Sequence, residues 1–306
     1  MPRKLASSRD DFVSQPAEAA SEACCSEACC VVCQRPCQRT LLYMKWGYAI
    51  VRCTGCEHVS TVVPPDDSCL AEPDQFYSRR YFEGGMQDGY QSYEDQRATL
   101  LQHFSRLITK RVLPLKPAGH LLDVGCAYGY CVEAAQGHFD ASGIDVSRHA
   151  IDVARSRGLD CSVSTLENYR PSKLFDVITL LDCIEHLPQP QQAVRCAFDL
   201  LRRGGILVVT TGDIRALYPR LAGRHWRLMT APQHLHFFSE ATLTRLLESV
   251  GFRRRMAGRD WKRVPLALAA YQLCERLGAP SAWTGRLRGA LPINLWDTIT
   301  IVAERV

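Results

Sequence analysis

Leu121-Leu122-Asp123-Val124-Gly125-Cys126-Ala127-Tyr128-Gly129-Tyr130 is an apolar run that meets an acid and then turns through two glycines. Such a run reads as a buried strand from His120 to Val124, a tight turn, and a helix from Tyr130 to Gln136. The same alternation continues on both sides of the turn. Ala141 to Val146, Leu159 to Val163, the continuous apolar Phe175 to Leu181, and Ile206 to Thr211 read as strands. His149 to Arg157 and Pro190 to Leu201 read as helices, the second stopped by Gly204-Gly205. A helix from Glu240 to Ser249 precedes a late strand pair, Phe252 to Arg255 and Thr298 to Glu304, with a helical insertion expected at about 264–290. Strands alternating with helices predict an α/β fold, a doubly wound and mostly parallel seven-stranded Rossmann-like sheet.

Asp145 ends the second of these strands, twenty residues beyond Gly125. A carboxylate there can accept hydrogen bonds from a ribose diol, so the turn predicts an adenosine-bearing ligand. A dinucleotide fingerprint begun at Gly125 would put Ala127 and Tyr130 at its later glycine positions. Tyr130 is too bulky where helix and strand must touch, so a diphosphate cradle does not fit.

Asp123, Gly125 and Gly129 match the D-x-G-x-G-x-G first motif of the class I S-adenosylmethionine (SAM)-dependent methyltransferases, with Ala127 in place of the middle glycine. Gly143-Ile144-Asp145-Val146-Ser147 resembles the second motif, and Phe175–Ile178 with Asp182-Cys183-Ile184-Glu185-His186-Leu187 the fourth-strand motif. Leu200 to Leu207 is similar to the L-x-x-G-G-x-L entry into the fifth strand. The resemblance implies SAM as cofactor. Asp123, Gly125, Cys126, Ala127 and Gly129 then surround its methionine end, Asp145 and Val146 its ribose, and Thr165 and Leu166 its adenine. Tyr77-x-x-x-Tyr81-Phe82-x-Gly84, Trp226, Pro232-x-His234-Leu235-His236-Phe237-Phe238-Ser239 and Leu247-x-x-x-Gly251-Phe252 are similar to a bacterial subgroup in which a zinc ribbon precedes the core. In that likeness Tyr81 covers the cofactor, and His234, His236 and Trp226 contact the substrate.

The chain holds 15 cysteines, eight of them between Cys24 and Cys56. Cys30-x-x-Cys33 and Cys53-x-x-Cys56 enclose nineteen residues, the spacing of two knuckles closing a tetrahedral Cys₄ zinc site. A closed site of this kind is structural. Cys24, Cys25, Cys29 and Cys37 are surplus, free to swap into the site, bind a second metal or stay idle. The expected organisation is a disordered leader (1–23), a Cys-rich zinc ribbon (24–65), a helical lid and linker (66–118), and a methyltransferase core (119–306). Within the linker, residues 74–112 read as helical.

Methyl transfer from a sulfonium needs an aligned nucleophile and, for a hydroxyl acceptor, a base. His186, following the fourth strand beside Glu185, is the candidate base, with Asp182 less than a turn away. Some related O-methyltransferases hold a divalent cation with a comparable E-x-x-E-H set; here Asp182 stands for the first Glu, and a cation at Asp182, Glu185 and His186, with His234 and His236 downstream completing a metal-like composition, is the alternative. His58, beside Cys56, reads as solvated ribbon surface.

Of the 306 residues, 46% are hydrophobic and 23% charged, with a net charge of +5, which is ordinary globular composition. The charge is too mild for a dedicated nucleic-acid protein. There is no apolar run of membrane-span length and no signal-peptide core, so the expected location is the cytoplasm. The expected partner is a small-molecule acceptor, most simply a hydroxyl; a homodimer is allowed. Competing readings are C-methylation of a nucleotide-linked sugar, RNA methylation with the ribbon gripping RNA, and a non-catalytic zinc-ribbon adaptor.

Overall fold

The computed structural model describes residues 29–64, 76–83 and 92–260 continuously, parts of 262–293, and all of 296–306. The expected leader, Cys24 and Cys25 lie outside the described residues. In chain order the strands are β1 (Arg39–Lys45), β2 (Tyr48–Cys53), β3 (Val59–Val62), β4 (Gly119–Val124), β5 (Phe139–Asp145), β6 (Cys161–Val163) and β7 (Phe175–Leu181). They continue as β8 (Leu201–Gly212), β9 (His236–Phe237), β10 (Phe252–Gly258), β11 (Lys262–Pro265), β12 (Ala290–Ile293) and β13 (Thr298–Arg305). The helices are α1 (Arg79–Phe82), α2 (Arg97–Leu107), α3 (Tyr130–Ala135), α4 (Arg148–Ser156), α5 (Pro190–Leu200), α6 (Leu217–Ala222) and α7 (Glu240–Val250).

Seven strands form the central sheet in the order β10-β13-β8-β7-β4-β5-β6. All neighbours run parallel except β13, which is antiparallel to both β8 and β10. From β4 the chain winds outward through β5 and β6, then returns to place β7 on the other side of β4. That reversal opens a crevice at the carboxyl ends of β4 and β7, where open α/β sheets bind ligands. The helices begin and end where local chemistry allows. Ser147 caps α4 by accepting from the Ala150 N–H, and Ser239 and Thr242 form a reciprocal capping box on α7. Gly251 closes α7 in the left-handed region at φ 110°.

Gly129 starts α3 at φ 78°, and a Cβ there would lie 2.5 Å from Leu159 Cδ1 and 3.3 Å from Ala154 Cβ. Gly129→Ala is therefore expected to destabilise the protein by about 1–3 kcal/mol, through the left-handed backbone and the crowded Leu159. Urea unfolding curves check this.

Two expectations change. Residues 74–112 are not one helix: α1 is a single turn, and α2 ends in a wider turn, Ile108–Val112, with five-residue hydrogen bonding. The insertion expected to be helical at about 264–290 is bounded by a strand pair, with Val264 opposite Leu291 and Pro265 opposite Ala290, and helical backbone lies between them at Leu266, Ala270, Leu273 and Cys274.

The ribbon is joined to the core rather than tethered to it. β1, β2 and β3 form an antiparallel sheet, and β3 continues into β9 of the core, with Val59 opposite Phe237 and Ser60 opposite His236. Ile50 and Val59 of the ribbon share one apolar cluster with Trp226, Met229, Ala231 and Phe237. Cys30, Val32 and Cys53 belong to the same cluster as Leu180, Ile184 and Phe238.

Candidate active site

A cavity of about 240 Å³ lies at the carboxyl ends of β4, β5 and β7. Its cofactor side is built from the turns that the first two motifs encode. Gly125, Ala127, Asp145, Val146, Thr165 and Leu166 line it. Gly125 sits at φ 73° with Cys183 Sγ only 2.8 Å from where a Cβ would be. Ala127 also takes a left-handed φ, 48°. Replacing the middle glycine of the motif thus strains the backbone, although the added methyl fits. That strained turn aims the Ala127 N–H at Asp145 Oδ2 (2.8 Å), while the Ser147 N–H donates to Oδ1 (2.8 Å). Both carboxylate oxygens are fixed in direction and keep lone pairs for a diol. Burial raises the Asp145 pKa, and the two amide donors oppose that shift.

Asp123, Cys126 and Gly129 do not line the cavity. Asp123 is buried within the sheet, accepting from Thr179 Oγ1 at 2.5 Å, and burial pushes its pKa up to about 7. It braces the turn from below. Cys126 is buried beneath the turn, where its Sγ would lie 2.7 Å from a Cβ on Gly143. Gly129 serves the helix start.

The rest of the lining is aromatic with a single imidazole, His186, and His234 stands against His186 without lining the cavity itself. Tyr77, Tyr81, Asp182, His186, Gln233 and Leu235 line it. The short turn Ile184–His186 after β7 presents His186, whose Nδ1 donates to the Gln233 carbonyl (2.9 Å). A carbonyl only accepts, so the neutral ring carries its proton on Nδ1 and keeps the Nε2 lone pair. Burial lowers the His186 pKa below its usual value, opposed by the Gln233 carbonyl and Asp182. The His234 ring stands edge-on to His186 with centroids 4.6 Å apart. Burial and the His186 ring hold the His234 pKa well below the usual histidine value.

Ligating atoms of Glu185, His186 and His234 all lie within 4.8 Å of one another. The metal-capable set therefore contains His234 in place of Asp182. Asp182 is exposed at φ 50°, and its carboxylate accepts from Thr210 Oγ1 (3.3 Å). Glu185 is buried behind the cavity, and its carbonyl accepts from the Leu235 N–H (2.9 Å).

Trp226 and His236 are not brought to the cavity. Trp226 is buried against β8, and its indole donates to Asp297 Oδ2 (2.9 Å). His236 points away from His234 although the two are only two residues apart, because His234 lies before β9 begins, and His236 Nδ1 lies 3.2 Å from His58 Nε2. His58 is buried in that pairing, not solvated. Sequence reasoning missed Gln233, whose amide also donates to the Tyr81 hydroxyl (3.3 Å). Its place beside His234 in the Pro232–Ser239 motif was the available signal.

The Sγ atoms of Cys30, Cys33, Cys53 and Cys56 lie within 4.8 Å of one another, with Cys30–Cys56 at 3.5 Å and Cys33–Cys53 at 3.8 Å. Zinc–sulfur bonds in a tetrahedron put the sulfurs about 3.8 Å apart, so this donor set fits zinc. Cys37 stands beside it, 3.6 Å from Cys33 Sγ, and Cys29 is exposed.

A family model described as a methyltransferase domain matches residues 93–255. The chain belongs to this methyltransferase-domain family. A ubiquinone biosynthesis O-methyltransferase of Coxiella burnetii (strain Dugway 5J108-111) is 29% identical to this family member over 150 residues, which cover 44% of the chain and 63% of the relative. A protein of the same description from Thiobacillus denitrificans is 32% identical over 147 residues, covering 43% and 63%. The chain thus spans less than two thirds of the curated relatives it matches. Magnesium protoporphyrin IX methyltransferase from Synechocystis, solved with bound S-adenosylhomocysteine, has the same fold, with a TM-score of 0.53 at 14% identity over 78% of this chain and all of that one. Among the described residues no helix is long and apolar enough to cross a membrane.

Proposed function

We propose that the protein is a SAM-dependent methyltransferase acting on a hydroxyl of a small molecule in the cytoplasm. The observation that carries the reading is Asp145. Its two oxygens are aimed by the Ala127 and Ser147 amides at the wall of a cavity whose lining also holds an imidazole with a free Nε2. Val146 and Leu166 supply apolar walls for an adenine beside it. Bound SAM would supply an electrophilic methyl on a sulfonium with a neutral thioether as leaving group. The chain's own residues then have three tasks. Asp145 orients the ribose, the aromatic cap of Tyr77 and Tyr81 restricts water, and His186 takes the acceptor hydroxyl's proton at Nε2. A divalent cation held by Glu185, His186 and His234 would lower that hydroxyl's pKa and make the base less necessary.

The ribbon's aromatics favour a small acceptor over RNA. Tyr43 and Tyr48 pack onto the cluster of Ile50, Val59, Trp226 and Phe237, which leaves Trp46 as the one ribbon aromatic facing outward, too little for a stacking platform. Titration calorimetry of the purified protein with SAM and S-adenosylhomocysteine tests the reading. Micromolar binding of both supports it, and no binding by a folded protein overturns it.

We assign a structural zinc to Cys30, Cys33, Cys53 and Cys56. Structural zinc contributes on the order of 10 kcal/mol to folding in isolated finger peptides. Elemental analysis is expected to find one zinc per chain. A strong chelator is expected to bring a melting phase well below the main transition, because the ribbon loses its closure first. A single unshifted melt after complete removal of zinc would contradict the assignment.

A further inference from the structure

We propose that Thr61, on the ribbon's third strand, is a positioning residue for His234 and thereby for the His186–His234 pair. The role of that pair rests on the methyl-transfer reading above; its placement does not. Thr61 is buried and grips the core segment twice. Its N–H donates to the Leu235 carbonyl (2.9 Å), and its Oγ1 donates to the His234 carbonyl (2.7 Å). The same segment is held from the opposite side, where the Leu235 N–H reaches the Glu185 carbonyl and the Gln233 carbonyl receives His186 Nδ1. Residues 233–235 are thus strung between the ribbon and the turn that carries His186. Among the described residues no hydrogen bond connects Thr61 to the cofactor side of the cavity.

Geometry makes the Thr61 hydroxyl more than an edge-strand contact. Backbone pairing alone, Val59 with Phe237 and Ser60 with His236, fixes the strand's register. The peptide that follows His234 is held at its N–H by the Glu185 carbonyl and at its carbonyl by the Thr61 hydroxyl, so the Oγ1 bond clamps the second end of the unit that carries the His234 ring toward His186. A buried neutral hydrogen bond contributes about 1 kcal/mol net, so its loss should raise local opening of the pair about fivefold.

The test is diethyl pyrocarbonate labelling of the zinc-loaded full chain, read at His186 and His234 by peptide mass spectrometry, with SAM titration in parallel. In Thr61→Val the labelling rate at both histidines is expected to rise about fivefold, with SAM affinity unchanged, and Thr61→Ser is expected to restore the wild-type rate. Unchanged labelling in the valine variant, failure of serine to restore it, or equal rises at every histidine with loss of SAM affinity would each overturn the proposal. If the valine variant does not fold, amide hydrogen exchange on the wild-type chain decides, zinc-loaded against zinc-stripped. Faster exchange confined to His234–Phe237, with Gly143–Val146 unchanged, supports the proposal; no change or a uniform rise overturns it. Absence of SAM binding by the wild-type chain would sink the methyl-transfer reading and leave the labelling result to judge the positioning role by itself.

Discussion

Asp145→Ala is expected to lower SAM affinity roughly a hundredfold or more while the chain stays folded. A carboxylate accepting two ribose hydroxyls contributes about 1.5–3 kcal/mol per bond to a charged acceptor, and each 1.4 kcal/mol is tenfold in Kd. The same carboxylate also accepts the Ala127 and Ser147 amides, so alanine removes the anchor of a turn already strained at Ala127. Both effects act on ligand binding. Neither threatens the core, because burial raises the Asp145 pKa and so penalises its ionised form in the folded state. By linkage, a carboxyl with a raised folded pKa favours the fold only while protonated, and that contribution is lost as pH rises through the folded pKa. At pH 8 the wild-type chain bears this penalty and the alanine variant does not. Calorimetry with S-adenosylhomocysteine, beside thermal melts at pH 8, measures both halves. Asp145→Asn should fall between, since an amide keeps one accepting oxygen. Unchanged affinity in the alanine variant would remove the ribose role.

The parts of this fold that were legible in the sequence are those set by local periodicity. β7 reads directly from FDVITLL because a strand buried on both faces must be continuously apolar. The β4 turn reads from Gly125 and Gly129, since both take positive φ. At Ala127 the larger effect is the left-handed backbone rather than the bulk of its methyl group, and a one-letter comparison of volumes does not contain it. What was hidden depends on pairing between distant segments. β9 is two residues long and carries no strand signal, yet it joins the ribbon sheet to the core. Only a partner more than 170 residues away makes it a strand.

Site residues divide the same way. The sequence pairs His234 with His236 as candidate contacts, yet residues two apart on an extended chain share a face only where the strand is regular. Here β9 begins at His236, so His234 lies just before it and turns toward His186 while His236 pairs with His58. Asp123 and Asp145 look equivalent in the motifs. The structure separates them by depth: one braces the sheet beside Thr179, the other faces the cavity. The metal-capable trio replaces Asp182 with His234 because Asp182, at φ 50°, swings its carboxylate to Thr210. Residue type named His234 as a possible ligand, but which of the acids joins it is set by backbone direction, which spacing does not contain.

His186→Ala is expected to cut kcat by about 10²–10⁴-fold with SAM affinity unchanged, the range that positioned general bases contribute. The argument runs through its hydrogen bonding. Gln233 fixes the proton on Nδ1, so Nε2 is the atom left to accept one, and burial keeps the ring neutral and ready to do so. The ring lies at the cavity wall beside Tyr77, 6.1 Å between centroids, in the same cavity that Asp145 lines. A nucleophile hydroxyl placed there would lie between the base and the donor end of the cofactor, which is the in-line order that methyl transfer requires. Kinetics with an acceptor found by screening small phenols and other hydroxyl compounds supply kcat, and calorimetry supplies SAM affinity. Losing both together would make His186 a structural residue of the cavity wall. Losing kcat alone, with full activity retained by the wild type in excess chelator, would assign the proton to His186 itself. Losing it in the wild type under the same chelator would give that work to a cation on Glu185, His186 and His234, leaving His186 as its ligand.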